Sequence, residues 1–224
     1  MKKILGLALI LFASVAALAQ ERVIEKEEFD KVFGNGKSKM DSKPHRTTII
    51  WEFRTEGRPE LDNQSKLIDE YLPKVGRRSI SEANPKTGTP QIETIFMGDK
   101  KYRREGNGEW KLGISDPPYT YQNPIKYLSN EEEYKFLGSE KSDNQNTTVY
   151  SWTIRRKYID EKTNAEVLSI ITTKCWLKEN GEFLKTENLQ ERRTSEKVFS
   201  VKRTDIYEID PNIKIEAPIL TSIK

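Results

Sequence analysis

The chain has 224 residues, one cysteine, one histidine and a formal net charge of +3. That inventory excludes an intrachain disulfide and both multi-histidine and all-cysteine zinc sites. Acidic and basic residues alternate closely, as in Glu131-Glu132-Glu133-Tyr134-Lys135 and Glu191-Arg192-Arg193, which describes a solvated surface and not the one-signed stripe of a nucleic-acid footprint.

In chain order, Met1-Lys2-Lys3 precedes an unbroken small and apolar run from Ile4 to Leu18, and Ala17-Leu18-Ala19 stands before Gln20. Two lysines, an apolar run shorter than the roughly 20 residues a membrane span needs, and small residues at the cleavage positions predict an export signal removed after Ala19. Gln20 stands where a lipoprotein would carry cysteine. The expected organisation is a signal peptide over 1–19 and a single domain over 20–224, periplasmic or secreted, with no permanent membrane span. Loss of Lys2 and Lys3 lowers the formal net charge from +3 to +1, so the mature chain is not basic.

Val23 to Phe33 places Phe29, Val32 and Phe33 at helical spacing among Glu and Lys, and Gly34-Asn35-Gly36 is expected to end that helix. From Thr47 the period changes to two: Thr47, Ile49, Trp51 and Phe53 share one face, with Thr48, Ile50, Glu52 and Arg54 on the other. A polar stretch runs from Glu56 to Ser65. Leu67, Ile68, Tyr71 and Leu72 predict a short helix over Ser65–Tyr71, and Gly76 to Ser81 reads as extended. Gln91 to Met97 meets Lys101 to Arg104 across Gly98-Asp99-Lys100, and Tyr102 to Arg104 meets Glu109 to Leu112 across Glu105-Gly106-Asn107-Gly108.

Pro117 to Leu128 is rich in proline and tyrosine. Prolines keep it out of a sheet while its aromatics seek burial, so Tyr119 and Tyr121 are candidates for a lid at a pocket mouth, with an ordinary packed loop as the alternative. Ala165 to Lys178 meets Glu182 to Arg193 across Glu179-Asn180-Gly181, where Asn and Gly tolerate positive φ. Thr147 to Ile159 and Lys197 to Ile209 complete a run of four long antiparallel strands. Tyr150, Trp152, Ile154 and Tyr158 line one face, and Val167 to Ile171, apolar on both faces, predicts a centre covered on both sides. Cys175 shares a face with Val167, Ile171 and Leu177 and reads as a small buried hydrophobe. The predicted class is mainly β with covering helices (α+β): a large curved antiparallel sheet or incomplete β-barrel with short helices on its concave face.

Three segments resemble a known family. Ile92-Glu93-Thr94-Ile95-Phe96-Met97-Gly98-Asp99-Lys100-Lys101-Tyr102 with Gly108-Glu109-Trp110, the later Trp176 to Lys185 hairpin, and Tyr207 to Pro218 are similar to successive hairpins and the closing strand of LolA/LppX-like periplasmic lipoprotein and lipid carriers. The resemblance spans roughly residues 45 to 218. It implies an open β-barrel with an apolar cavity between sheet and helices, and a lipid, acyl chain or lipoprotein bound without chemistry. Trp51, Phe53, Phe96, Trp152 and Ile171 are then candidates for the cavity wall, with plain core packing as the alternative role for each.

No G-x-S-x-G elbow, phosphate loop or dinucleotide fingerprint occurs in the sequence. The expectation is therefore a protein that is not an enzyme, with no catalytic residue, metal ligand or cofactor. The second reading is an envelope sensor or interaction module that uses the same fold to meet an envelope protein.

Overall fold

The computed structural model describes residues 21–114, 127–160, 163–195 and 197–220. The elements in chain order are β1 (Arg22–Val23), α1 (Lys26–Asp41), β2 (His45–Thr55), a 3₁₀ turn (Pro59–Leu61), β3 (Asn63–Leu72), β4 (Gly76–Ser81), β5 (Ile92–Met97), β6 (Lys100–Glu105) and β7 (Lys111–Ile114). After these come β8 (Tyr127–Ser142), β9 (Gln145–Ile159), β10 (Glu166–Lys178), β11 (Phe183–Arg193) and β12 (Val198–Ile209). All of the strands join one antiparallel sheet in the order β1-β8-β9-β10-β11-β12-β2-β3-β4-β5-β6-β7, whose two edges do not pair with each other. The sheet is open, as the strand pattern predicts.

Turn residues set the hairpins. Gly98 and Gly181 sit at φ 60° and 77°, where a side chain would be strained. Asp143 and Asn144 both adopt positive φ, 50° and 63°, which matches the two-residue turn that joins long twisted strands, and they connect β8 to β9. This hairpin and β8 itself lie outside the sequence expectation. The segment 117–128, expected as a lid or packed loop, ends inside β8, since Tyr127 and Leu128 open that strand and are exposed. Residues 1–20, where an export signal is expected, and the candidate lid residues Tyr119 and Tyr121 lie outside the described residues.

The chain must pass from β1 at one edge to β2 in the middle of the sheet, and α1 makes that crossing. Sixteen helical residues extend about 24 Å. The distance from β1 to β2 is six strand spacings, roughly 29 Å, so the helix lies across β8 to β12, with its flanking residues supplying the difference. Glu27 and Glu28 in the first turn and Lys39 in the last complement the helix dipole. The helix does not stop at Gly34-Asn35-Gly36. Gly36 faces the sheet so closely that a Cβ there would lie 2.9 Å from Leu177 and 3.1 Å from Phe183. Close approach to the sheet therefore outweighs the helix cost of glycine, about 1 kcal/mol per residue.

The other expected helix, over Ser65–Tyr71, is instead the middle of β3, paired on both sides with β2 and β4. One α-helix and one 3₁₀ turn are thus the helical structure of the described residues.

Paired residues in an antiparallel sheet share a face, so the register divides the side chains. On the face carrying α1, Phe29, Met40 and Ile24 pack with Tyr134, Cys175, Leu177 and Phe183. On the opposite face, Ile213 and Ile215 of the C-terminal segment pack against Ile95 and Tyr102. A smaller group, Val149, Trp176 and Leu184, lies beneath the β10–β11 turn. There Lys185 sits 4.1 Å from the Trp176 ring centroid, so the first and last residues of that hairpin motif meet across the ladder. The centre of β10 is covered on one face only: Val167 and Ser169 are buried, whereas Leu168 on the other face is exposed.

Candidate functional site

The face that carries α1 can be followed row by row across the sheet. One row runs Tyr134, Trp152, Thr173, Asn188, Arg203, Trp51, Ser65. The next, away from the helix, runs Ile154, Ile171, Gln190, Val201, Phe53 and Asn63. Beyond it lie Arg156, Ser169, Arg192, Phe199 and Thr55. Phe96 shares this face farther along the sheet, through its pairing with Arg77, which itself pairs with Tyr71. All five residues expected to line a cavity therefore stand on one face, and each is half-buried.

Trp152 alone of the five packs beneath α1, its ring stacked at 6.1 Å on Tyr134 and tilted at 6.2 Å against Phe29. Trp152 Nε1 is buried without a hydrogen-bond partner among the described residues. Trp51 and Phe96 lie outside that cluster and each meets an arginine: Arg203 is 5.5 Å from the Trp51 centroid and Arg77 5.9 Å from that of Phe96. Phe53 and Ile171 share the row that also holds Val201. Sequence reasoning singled out neither Val201 nor Phe199, although the alternation Phe199, Val201 along the predicted strand carried the signal.

Polar groups on this face are largely paired among themselves. Asn188 donates to Thr173 Oγ1 at 2.8 Å. Arg203 grips Asp205 through Nε and Nη2 at 2.7 and 2.9 Å. Burial pulls the Arg203 pKa down, but the hydrogen bond and charge of Asp205 outweigh it and raise it overall. Arg77 binds Asp69 through two bonds, and Ser79 donates to the same carboxylate.

Nucleophilic chemistry finds no support here. Cys175 is 1% exposed, and burial pushes its thiol up to about 12, so the thiolate is scarce at neutral pH. The register sets Cys175 in line with Ile49 of β2, three strand spacings or about 14 Å away, and His45 lies four residues farther along that strand. The His45 Nδ1 is occupied by the Lys43 carbonyl at 2.9 Å. Among the described residues no group of three or more His, Cys, Asp or Glu is placed to hold a metal ion. No described helix is long and apolar enough to cross a membrane.

No family model and no curated protein sequence matches the chain. Solved structures similar to it include the LolA superfamily protein NE2245 from Nitrosomonas europaea, with 9% identity over 79% of this chain and 93% of that one, at a TM-score of 0.32. LprF from Mycobacterium bovis is 10% identical over 79% of this chain and 91% of its own, at a TM-score of 0.34.

Two surface clefts carry charged and amide side chains on their walls. One of about 390 Å³ is lined by Glu140, Lys141, Asn146, Thr147 and Glu179, and one of about 400 Å³ by Glu52, Phe53, Asp62, Asn63 and Lys86. Phe53 joins the second cleft to the stripe of apolar side chains on the α1 face of the sheet.

How firmly α1 is held bears on access to that stripe. Its C-terminal end is tied to the β10–β11 turn: Lys39 donates to the Asn180 carbonyl at 2.5 Å, and Lys43, just after the helix, to Glu182 at 2.5 Å. The Lys43 hydrogen bond holds the Glu182 carboxyl below the usual carboxylate range despite its burial. A lowered folded pKa stabilises above the ordinary value, near 4.3 for glutamate, and that contribution disappears as the pH falls through the lowered value. Acid titration followed by hydrogen exchange should therefore loosen α1 below about pH 4. Glu182→Gln should weaken the helix at neutral pH and flatten this acid limb. An unchanged acid limb in the variant would show that Glu182 does not anchor the helix.

Proposed function

We propose that the mature chain is an exported envelope protein that binds the acyl chain of a lipid or lipoprotein on the α1 face of the sheet and carries it without chemistry. The observation that supports this is the uneven cover of that face. α1 seals the aromatic cluster over the ends of β8 to β12 nearest the β10–β11 turn, while Ile171, Val201, Trp51 and Phe53 beyond it are half-buried and Phe199 is exposed. A monomer seldom leaves such a run of large apolar groups on one face without use for it. The export signal and the resemblance of the hairpin motifs to lipoprotein and lipid carriers point the same way.

The magnitudes are adequate. Burial contributes about 0.8 kcal/mol per methylene, so ten methylenes would contribute about 8 kcal/mol, the scale of micromolar affinity before the cost of association. The test is native mass spectrometry on the chain from Gln20, purified from a bacterial periplasm, followed by solvent extraction and lipid analysis. The expected result is a stoichiometric adduct that vanishes on extraction and proves to carry an acyl chain. Ligand-free spectra with no uptake of added lipid would refute the carrier function and leave the protein-interaction module.

A further inference from the structure

Beyond the row holding Ile171, Val201 and Phe53, the α1 face ends in Arg156, Ser169, Arg192 and Phe199, which are direct neighbours across β9, β10, β11 and β12. Arg156 and Arg192 are two strand spacings apart, about 10 Å between backbones, on either side of the small buried Ser169. Arg192 is exposed and makes no ion pair among the described residues. Arg156 donates its Nε to Asn130 Oδ1, at 3.0 Å, and its guanidinium lies 5.2 Å from the Tyr127 centroid, and neither of these partners is charged.

Two carboxylates of the same face are ion-paired, Asp205 with Arg203 and Asp69 with Arg77, while Glu132, one row nearer the helix, accepts from the Tyr134 hydroxyl. Among the described residues, the row of Asn130, Arg156, Ser169, Arg192, Phe199 and Thr55 carries positive charge only, and it borders the half-covered apolar stripe directly. An apolar run closed at one end by two guanidinium groups is complementary to a molecule with a chain and a single anionic head, because guanidinium binds carboxylate or phosphate oxygens through paired N–H donors.

We infer that the ligand is an anionic amphiphile, with its carboxylate or phosphate head between Arg156 and Arg192 and its chain along Ile171, Val201 and Phe53. This rests on the acyl-binding function proposed above. The test compares three probes of equal chain length on the mature chain: palmitic acid, monopalmitoyl phosphatidic acid and hexadecanol, each displacing a fluorescent fatty acid. Expected is at least a tenfold preference for one or both anionic probes over the alcohol. The better of the two identifies the head as carboxylate or phosphate. Arg192→Gln and Arg156→Gln should each weaken that probe about tenfold and leave hexadecanol unchanged. Equal affinity for acid and alcohol would overturn the anionic ligand while acyl binding stands. Equal losses for all probes in the arginine variants would overturn the headgroup site, and no binding of any probe would overturn both the inference and the function beneath it.

Discussion

Phe29→Ala should cost about 3–5 kcal/mol and should release α1 from the sheet. Phe29 is 4% exposed and is the side chain through which the helix enters the aromatic cluster, at centroid distances of 5.3 Å from Tyr134, 5.8 Å from Phe33 and 6.2 Å from Trp152. Truncation removes both the buried ring area and the packing of its neighbours, because a helix lying across strands cannot settle into the void without colliding elsewhere. Gly36 fixes the other end of α1 at a separation that already leaves no room for a Cβ. For a domain of this size the loss corresponds to a fall of roughly 6–20 °C in Tm. Hydrogen exchange should locate it: amides of α1 lose protection first, while those of β10 and β11 keep theirs. A loss below about 1 kcal/mol would show that Phe29 is not the anchor. If acyl chains reach the face from the α1 side, the same variant should also exchange lipid faster.

Much of this sheet is legible in the sequence because its hairpins carry their own punctuation. Gly98-Asp99 locates the β5–β6 turn, although Lys100, read as a third turn residue, instead opens β6 opposite Met97, and the long β10–β11 pair follows from Asn180-Gly181. The misread helix over Ser65–Tyr71 shows what pattern alone lacks. Leu67, Ile68, Tyr71 and Leu72 have helical spacing, yet in β3 they divide between the two faces, Leu67 and Tyr71 with Ile49 and His45, Ile68 and Leu72 with the opposite side. An interior strand that is half-buried on both faces loses the alternation by which strands are recognised. Asp69 and Glu70 between them are held by Arg77 on one face and Arg46 on the other. β8 was hidden for the opposite reason. Its run Glu131-Glu132-Glu133 is that of an edge strand whose outer half meets water, and only Asp143-Asn144 marked its turn.

Placement of the candidate side chains on one face was legible for Trp51 with Phe53, since parity along a single strand decides it. Relating them to Trp152 and Ile171 required the pairing of β12 with β2, residues 198–209 with 45–55. No local signal specifies that long-range contact. The arginines at the end of the stripe were invisible for the same reason: Arg192 read as one charge in a mixed surface run, and only the register sets it between Ser169 and Phe199.

The same register builds a ladder of alternating charge on the opposite face, and Glu93 is where its removal should be felt most. Along it Arg46 meets Glu70 at 2.9 Å, Glu70 meets Arg78 at 3.4 Å, Arg78 meets Glu93 at 2.6 Å, and Glu93 meets Arg104 at 2.5 Å. Arg104 then lies 4.7 Å from the Trp110 centroid. Glu93 is 3% exposed and uses both oxygens, one for Arg78 and one for Arg104. Glu93→Ala would leave two guanidinium groups facing each other in a partly buried site, with Arg78 retaining only its longer contact to Glu70. Removing one partner of a buried pair costs about 3–5 kcal/mol, chiefly because the cations left behind have lost their compensation. That cause can be separated from simple loss of packing. Arg104→Met in the Glu93→Ala background should cost less than in the wild-type chain, with a coupling of about 0.5–3 kcal/mol from equilibrium denaturation of the single and double variants. Additive costs would mean that the ladder does not act as a network. Strong coupling would make it the device that fixes the register of β2 to β6, and through β2 the position of Trp51 and Phe53 on the other face.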